Sequence, residues 1–234
     1  MNNLDALWPK IVEMAREIHA TPELRFEEKR AASLQAELLR NAGFDVESPY
    51  GGFDTAFRAR FGKGKPVLAY TSEYDALPDI GHACGHHLIA ASSIGAAIVV
   101  ARQIEEQGAD GQVWIIGTPG EEMGGGKVLM LENGAFEDAD AVLQAHPADC
   151  DATDPGMNGV IRYDVAFRGL EAHAAAAPEE GRNALDGVLL FFQGINAWRQ
   201  HLPDSSRVHG IVTDGGAAPN IVPARRVLPR PNAF

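Results

Sequence analysis

Helix-like and strand-like apolar runs alternate along residues 4–145, and this order constrains the fold of the chain more than any other feature. Apolar residues at three- and four-residue spacings predict surface helices at Leu4–Ala20 and Glu27–Ala42. Two short runs of strand-like composition follow at Thr55–Phe61 and Pro66–Thr71, and the glycines between them suit a tight hairpin.

The next segments continue the alternation. His87–Gln107 is a helix rich in Ala and Ile, and Gln112–Thr118 and Ala141–Ala145 are strands of nearly continuous apolar character. Such strands are buried on both faces, which is typical of a sheet covered by helices. The sequence therefore predicts an α/β fold with a mixed, mostly parallel sheet flanked by helices, and we assign residues 1–157 to this domain.

Residues 158–223 have a different pattern. Val160–Phe167 and Arg207–Thr213 alternate like half-exposed strands, and Ala184–Gln200 has the periodicity of an amphipathic helix. These segments predict a second, smaller α+β domain. Residues 224–234 contain arginines and prolines without periodicity, where a two-layer domain would need another strand and helix, so we expect the second domain to be incomplete.

Composition excludes several classes of function. The 234 residues are 45% apolar and 22% charged, as in a soluble globular protein, and 32 acidic against 20 basic residues give a net charge of −12. No basic run offers a surface for phosphate backbones, so we expect no nucleic-acid partner. The N-terminus lacks the pattern of a signal peptide, and no apolar run reaches the roughly 18 residues that cross a bilayer. We therefore expect a cytoplasmic protein without a membrane segment.

The stretch EYDALPDIGHACGHHL, residues 73–88, concentrates potential metal ligands beside an apolar helix. Cys84 and His86 are two residues apart, a spacing that can bring a thiolate and an imidazole onto one metal ion. The dipole of the following helix would favour the thiolate form of Cys84. Taken alone, the pair is equally consistent with a buried thiol and a surface histidine at a helix start.

Two further strand ends carry the same kinds of side chain. Glu121 and Glu122 follow the strand Gln112–Thr118, and His146 follows Ala141–Ala145. Adjacent carboxylates can divide the work, one binding a metal and one taking a proton from water, although a solvated acidic loop is the simpler alternative. The glycines after Glu122 allow close backbone approach, which a solvated loop does not need.

These positions together predict a metal centre. A set of one thiol, two imidazoles and one carboxylate suits one or two Zn²⁺ or Mn²⁺ ions: Cys84, His86, Glu122 and His146. A structural zinc module is a weaker alternative, because structural sites usually use four Cys or His ligands at short spacings.

In these motifs the chain resembles the aminoacylase and carboxypeptidase type of metal-dependent amidohydrolases. The branch it resembles contains hippurate, indole-acetyl-amino-acid and aminobenzoyl-glutamate hydrolases, and EYDALP and GHACGH look most like its dipeptidase-like members. The resemblance implies a zinc-exopeptidase-like catalytic domain with a metal site, and a smaller lid or dimerisation domain. It also implies hydrolysis of an N-acyl amino acid or a dipeptide by a homodimer.

The resemblance also implies roles for individual residues. Glu121 looks like the general base that activates a metal-held water, and Asp75 like an aspartate that orients a metal ligand. His173 resembles the lid histidine that polarises the scissile carbonyl, and Asn220 the lid asparagine that contacts substrate. His87 departs from the family, in which Asp or Asn is common at that position.

Length is the second departure. Members of the family continue well beyond the equivalent of residue 234, complete the lid and supply one more histidine ligand. An alternative hypothesis is therefore a truncated, catalytically inactive homologue that still binds metal.

Overall fold

The computed structural model describes residues 3–122, 124–153, 156 and 159–224. They form two compact units that divide after Thr153. The boundary expected at 157–158 and nearly all of the tail expected at 224–234 lie outside the described residues. Each unit is described by itself below.

The first unit contains a five-stranded sheet with helices on its faces. Strand order is β1-β2-β4-β3-β5, and among these described strands β2 alone runs opposite to the others. The prediction of a mixed, mostly parallel sheet is therefore confirmed. In chain order the elements are α1 Asn3–Ala20, α2 Lys29–Asn41, β1 Asp45–Glu47, β2 Phe57–Lys63, β3 Val67–Ser72, α3 His86–Gln107, β4 Gly111–Gly117, α4 Gly126–Glu132 and β5 Ala141–Leu143.

The predicted hairpin between β2 and β3 is wrong, because β4 lies between them. It pairs antiparallel with β2 and parallel with β3. Nearly every residue of β4 is buried, and a strand of that kind needs a neighbour on each side. Gly62 serves this insertion: a side chain there would place Cβ 2.3 Å from the carbonyl oxygen of Gly111.

Two apolar layers cover the sheet, and β4 contributes to both. Val113 and Ile115 pack with residues of α1, α2 and α3, whereas Trp114 and Ile116 pack with Met130 of α4 on the opposite face. This alternation follows from the period-two geometry of a strand. It leaves the carboxyl ends of β3 and β4 open at one edge of the sheet.

α3 is the longest described helix, and by length and composition it could cross a bilayer. Its buried residues, from His86 and Ile89 to Ala101, instead pack against β3, β4 and α1. An apolar helix packed in this way is the core helix of a sheet-containing domain.

The second unit contains the predicted helix, here α5 Ala184–Trp198, whose first turn is capped by the side chain of Asn183. The strands predicted at 160–167 and 207–213 are wrong, since the described residues of neither segment form a strand. Both have alternating apolar residues, but a strand also needs a hydrogen-bonded neighbour. Ile161 and Ile211 are accordingly exposed.

Candidate metal centre

The carboxyl ends of β3 and β4 bring the acidic motifs together. Glu73 follows β3 directly, and the segment from Thr118 to Glu122 follows β4. The backbone N–H of Thr118 donates to the Ser72 carbonyl oxygen at 2.8 Å, which keeps the two strand ends adjacent. Ligands collect at such edges in open α/β sheets.

Three of the predicted ligands meet at this edge. One ligand atom each from Cys84, His86 and Glu122 lies within 4.8 Å of the other two. The set combines a sulfur, a nitrogen and an oxygen donor, which suits Zn²⁺ and related divalent ions.

A second group shares His86. It joins this histidine to Glu73 and to the predicted ligand His146, again with all three ligand atoms within 4.8 Å of one another. Glu73 is not among the ligands predicted from the sequence. Its place immediately after a buried strand, two residues before Asp75, is the signal that identifies it.

Asp75 holds two of these side chains in place. Its Oδ1 lies 2.9 Å from His86 Nδ1, and its Oδ2 accepts from the Glu122 backbone N–H at 2.8 Å. Burial alone would raise the pKa of Asp75, but the hydrogen bonds from His86 and Glu122 lower it, so the carboxylate is charged and only accepts. Nδ1 of His86 therefore carries the hydrogen, and Nε2 faces the ligand groups.

Two buried atoms in the centre have no hydrogen-bond partner: Nε2 of His86 and Oε2 of Glu73, which lie 3.5 Å apart. Buried polar atoms are nearly always paired, and an ion is one reason for an exception. A free imidazole nitrogen facing a free carboxylate oxygen is what a divalent cation would join. The residues present therefore fit a metal ion.

The other oxygen of Glu73 is occupied. Lys127 Nζ contacts Oε1, and Gln144 Nε2 donates to the same atom at 2.6 Å. Gln144 is oriented in turn by the Thr71 hydroxyl, which donates to its Oε1 at 2.7 Å. Two donors on one oxygen leave Oε2 directed at His86. Lys127 and Gln144 are functional residues that the sequence patterns do not reveal.

The thiol of Cys84 is protonated in the metal-free chain, contrary to the expectation from the helix dipole. A hydrogen bond with Glu122, partial burial and the nearby charges of Glu121 and Asp75 raise its pKa to about 11. The carboxylates outweigh the dipole because they carry full charges at close range. A divalent cation would reverse this balance and favour the thiolate.

Glu121 belongs to neither ligand group, as a general base should not. Its Oε2 lies 3.8 Å from His86 Nε2, and its side chain is 41% exposed. Burial and then the charge of Glu73 raise its pKa above the ordinary value. A carboxylate shifted in this direction is better suited to accept a proton near neutral pH.

The loop that carries Glu121 and Glu122 depends on its glycines. A Cβ on Gly124 would lie 2.4 Å from the Gly120 carbonyl oxygen, and one on Gly126 would lie 1.7 Å from the Pro119 carbonyl oxygen. Side chains at these positions would force the backbone apart. The expected close backbone approach is confirmed.

His173 and Asn220 are adjacent in the second unit. His173 pairs with Ile221 in an isolated β-bridge, and the Asn220 carbonyl oxygen accepts from the Ala174 N–H at 3.0 Å. Nδ1 of His173 accepts from the N–H groups of Ala175 and Ala176, both at 3.2 Å. In neutral His173 the hydrogen is therefore on Nε2, which is free to donate to a carbonyl oxygen.

We expect Asp75→Asn to weaken binding of Zn²⁺ by roughly 10- to 100-fold, since an amide removes the charge behind His86 and cannot accept at both positions. Competition titration against a chromophoric chelator measures the affinity. Asp79→Asn is the matched control: Asp79 is exposed, and its left-handed backbone suits Asn as well as Asp. Equal affinities in the two variants would contradict the orienting role of Asp75.

Comparison with known proteins gives the family. The model of peptidase family M20/M25/M40 matches residues 69–202. Among curated proteins, one of the two subunits of the p-aminobenzoyl-glutamate hydrolase of Escherichia coli is 39% identical over 235 residues, covering 92% of this chain and 49% of that protein. The Xaa-Arg dipeptidase of Mus musculus is 39% identical over 239 residues, covering 94% of this chain and 54% of that protein.

Solved structures agree at the level of the fold. An aminobenzoyl-glutamate utilization protein from Klebsiella pneumoniae superposes with a TM-score of 0.63 at 22% identity, covering 96% of this chain and 66% of that one. The Bacillus subtilis YXEP protein, a dinuclear metal-binding peptidase, gives 0.54 at 24% identity, covering 71% and 50%. The chain spans about half the length of the curated relatives it matches. The family match covers more than half of the chain, with most of the candidate metal centre inside it, and the chain belongs to peptidase family M20/M25/M40.

Proposed function

We propose that the protein hydrolyses the amide bond of an N-acyl amino acid or a dipeptide with a divalent metal ion, Zn²⁺ or Mn²⁺. The observation that carries the proposal is the unpartnered pair of His86 Nε2 and Glu73 Oε2, buried beside Cys84 and Glu122. The names of the two curated relatives, a p-aminobenzoyl-glutamate hydrolase and an Xaa-Arg dipeptidase, support amide hydrolysis near an amino-acid residue.

The two ligand groups divide the metal centre. Because Asp75 occupies Nδ1 of His86, this histidine has one nitrogen to offer and can serve a single ion. Cys84, His86 and Glu122 would hold that ion, and His146 with Glu73 would hold a second or complete the coordination of the first. A bound ion would act as a Lewis acid that activates a water molecule and polarises the scissile carbonyl.

Glu121 performs the proton transfers. It lies beside the ligand groups without belonging to them, so it can take a proton from the attacking water and deliver it to the leaving amine. His173 Nε2 donates to the carbonyl oxygen, where negative charge develops during the attack. Asn220 binds another polar group of the substrate.

We further propose a cytoplasmic homodimer. Cys84 and Cys150 are both free, which accords with a reducing compartment. The second unit exposes apolar side chains such as Val160, Ile161 and Tyr163, and a second copy of the chain would cover such a surface.

Metal removal tests the proposed function. We expect dialysis against a chelator to reduce hydrolysis of N-acyl amino acids and dipeptides to background, and either Zn²⁺ or Mn²⁺ to restore it. Release of free amino acid, followed by chromatography, measures turnover, and elemental analysis measures bound metal. Turnover that survives complete removal of metal would contradict the proposal.

An inactive metal-binding homologue is the second candidate. It is favoured by the apolar segments 160–167 and 207–213, which have no strand partner in the described part of the chain. Stoichiometric metal without turnover on any substrate of the panel would support this second candidate, whereas metal-dependent turnover rejects it.

A further inference from the structure

Three histidines outside the proposed ligand groups lie together in the first unit. His19 is in the last turn of α1, and His82 and His87 lie on either side of Cys84 and His86. Their ring centroids are 4.7 Å apart for His19 and His87, 5.4 Å for His82 and His87, and 6.3 Å for His19 and His82. Two separate segments of the chain therefore meet at one histidine cluster.

The cluster contains buried nitrogens without partners. His82 is only 7% exposed, yet neither of its ring nitrogens has a hydrogen bond, and Nδ1 of His87 is also buried and unpartnered. The Ile18 carbonyl is near enough to influence the His82 ring, but the two do not form a hydrogen bond of good geometry. Buried imidazole nitrogens in this state need an explanation, and a bound ion is one.

The spacing of the rings matches a shared ion. With a Zn–N bond of roughly 2.0 to 2.1 Å and tetrahedral angles, three imidazoles on one ion have centroids roughly 5 Å apart. The three observed distances lie on both sides of this value. The ring nitrogens of the cluster are not yet all within 4.8 Å of one another, but His19 is exposed and its ring can turn toward the other two.

The surroundings select the kind of ion. The charged neighbours that act on His82 and His87 are themselves histidines: His19, His86 and each other. A cluster of imidazoles without carboxylate neighbours favours Zn²⁺, Co²⁺, Ni²⁺ or Cu²⁺ over Mg²⁺ or Ca²⁺, which prefer oxygen ligands. His86 and His87 are consecutive on a helix and point about 100° apart, so they can serve different ions.

We propose that His19, His82 and His87 form a separate cation site that binds one Zn²⁺-like ion through three imidazoles. The ion would tie the end of α1 to the turn that presents Cys84 and His86. Because its ligands differ from those of the catalytic centre, the site can be present whether or not the protein is an amidohydrolase.

Metal stoichiometry of the whole chain tests the site. After dialysis against micromolar Zn²⁺, elemental analysis should find one ion per chain fewer in His19→Gln than in the parent. His201→Gln is the matched control, because His201 is also exposed but belongs to the second unit. This control should retain every ion of the parent.

Two further measurements keep the test sharp. With Co²⁺ in place of Zn²⁺, His19→Gln should keep the thiolate-to-cobalt absorption of Cys84, which locates the lost ion outside the catalytic centre. His87→Asn should lose the same single ion, and the double variant no more than one, because both remove one site. Circular dichroism verifies that each variant is folded. Equal Zn²⁺ content in the parent and in folded His19→Gln would overturn the proposal.

Discussion

Glu121→Gln should lower kcat by roughly 10²- to 10⁴-fold, the usual contribution of a general base, while KM changes little. Glutamine preserves the size and polarity of the side chain but cannot accept a proton from water. Because Glu121 is in neither ligand group, the variant should bind as much metal as the parent. Steady-state kinetics on a substrate that the parent hydrolyses, together with elemental analysis, measures both quantities.

Glu132→Gln provides the matched control, since Glu132 is exposed at the end of α4 and carries the same change of charge. It should leave kcat unchanged. Two results would contradict the role of Glu121: an undiminished kcat, or a loss of metal equal to the loss of activity, which would make Glu121 a ligand instead of a base.

Glu28→Gln should remove a pH dependence of stability worth about 3 kcal/mol. Glu28 is fully buried; its Oε1 accepts from the Gly120 N–H at 2.8 Å, and the Thr55 hydroxyl lies 3.1 Å from its Oε2. Burial raises the pKa of Glu28 to about 7, although the hydrogen bonds from backbone N–H groups oppose the shift. Glutamine can keep both contacts, because its oxygen accepts from Gly120 and its amide donates to Thr55.

The direction of the effect follows from the raised pKa. In the unfolded chain the carboxyl ionises near its ordinary value of 4.5, whereas in the folded chain it stays protonated until about pH 7. Folding therefore gains most from this group below pH 4.5, loses that gain between pH 4.5 and 7, and changes little above pH 7. Glutamine behaves like the protonated acid at every pH. At pH 8 the variant should be the more stable protein.

Chemical denaturation at several pH values between 4.5 and 8 measures the difference in free energy of unfolding between variant and parent. Glu27→Gln, an exposed neighbour, gives the background effect of removing one charge. A difference for Glu28→Gln that stays constant over this range would show that Glu28 is ionised throughout and that burial does not control its pKa.

Sequence patterns predict the helices of this chain well because helix periodicity is local. The bounds of α1, α2, α3 and α5 lie within two residues of the expected ones. Strand existence is also local, but strand pairing is not. The run of residues 57–72 looks like a hairpin until β4, forty residues later in the chain, is placed between its two halves.

The candidate site divides in the same way. Cys84, His86, Glu122 and His146 can be nominated from residue type and position at strand ends, and the structure brings each of them into a ligand group. Glu73, Lys127 and Gln144 cannot be joined from the sequence alone, because their contacts span more than 50 residues. The protonation of Cys84 also depends on carboxylates from distant segments.

The central position of β4 has a consequence for how the protein is made. β2 and β3 leave the ribosome before β4, yet each needs β4 as its hydrogen-bonded neighbour. Until residue 117 has been synthesised, the nascent chain can pair β1 only with β2. Such non-local pairing slows folding and leaves strand edges open to the wrong partners. The metal-binding cysteine and the histidine at position 86 thus spend part of synthesis without the strand that later brings Glu122 beside them.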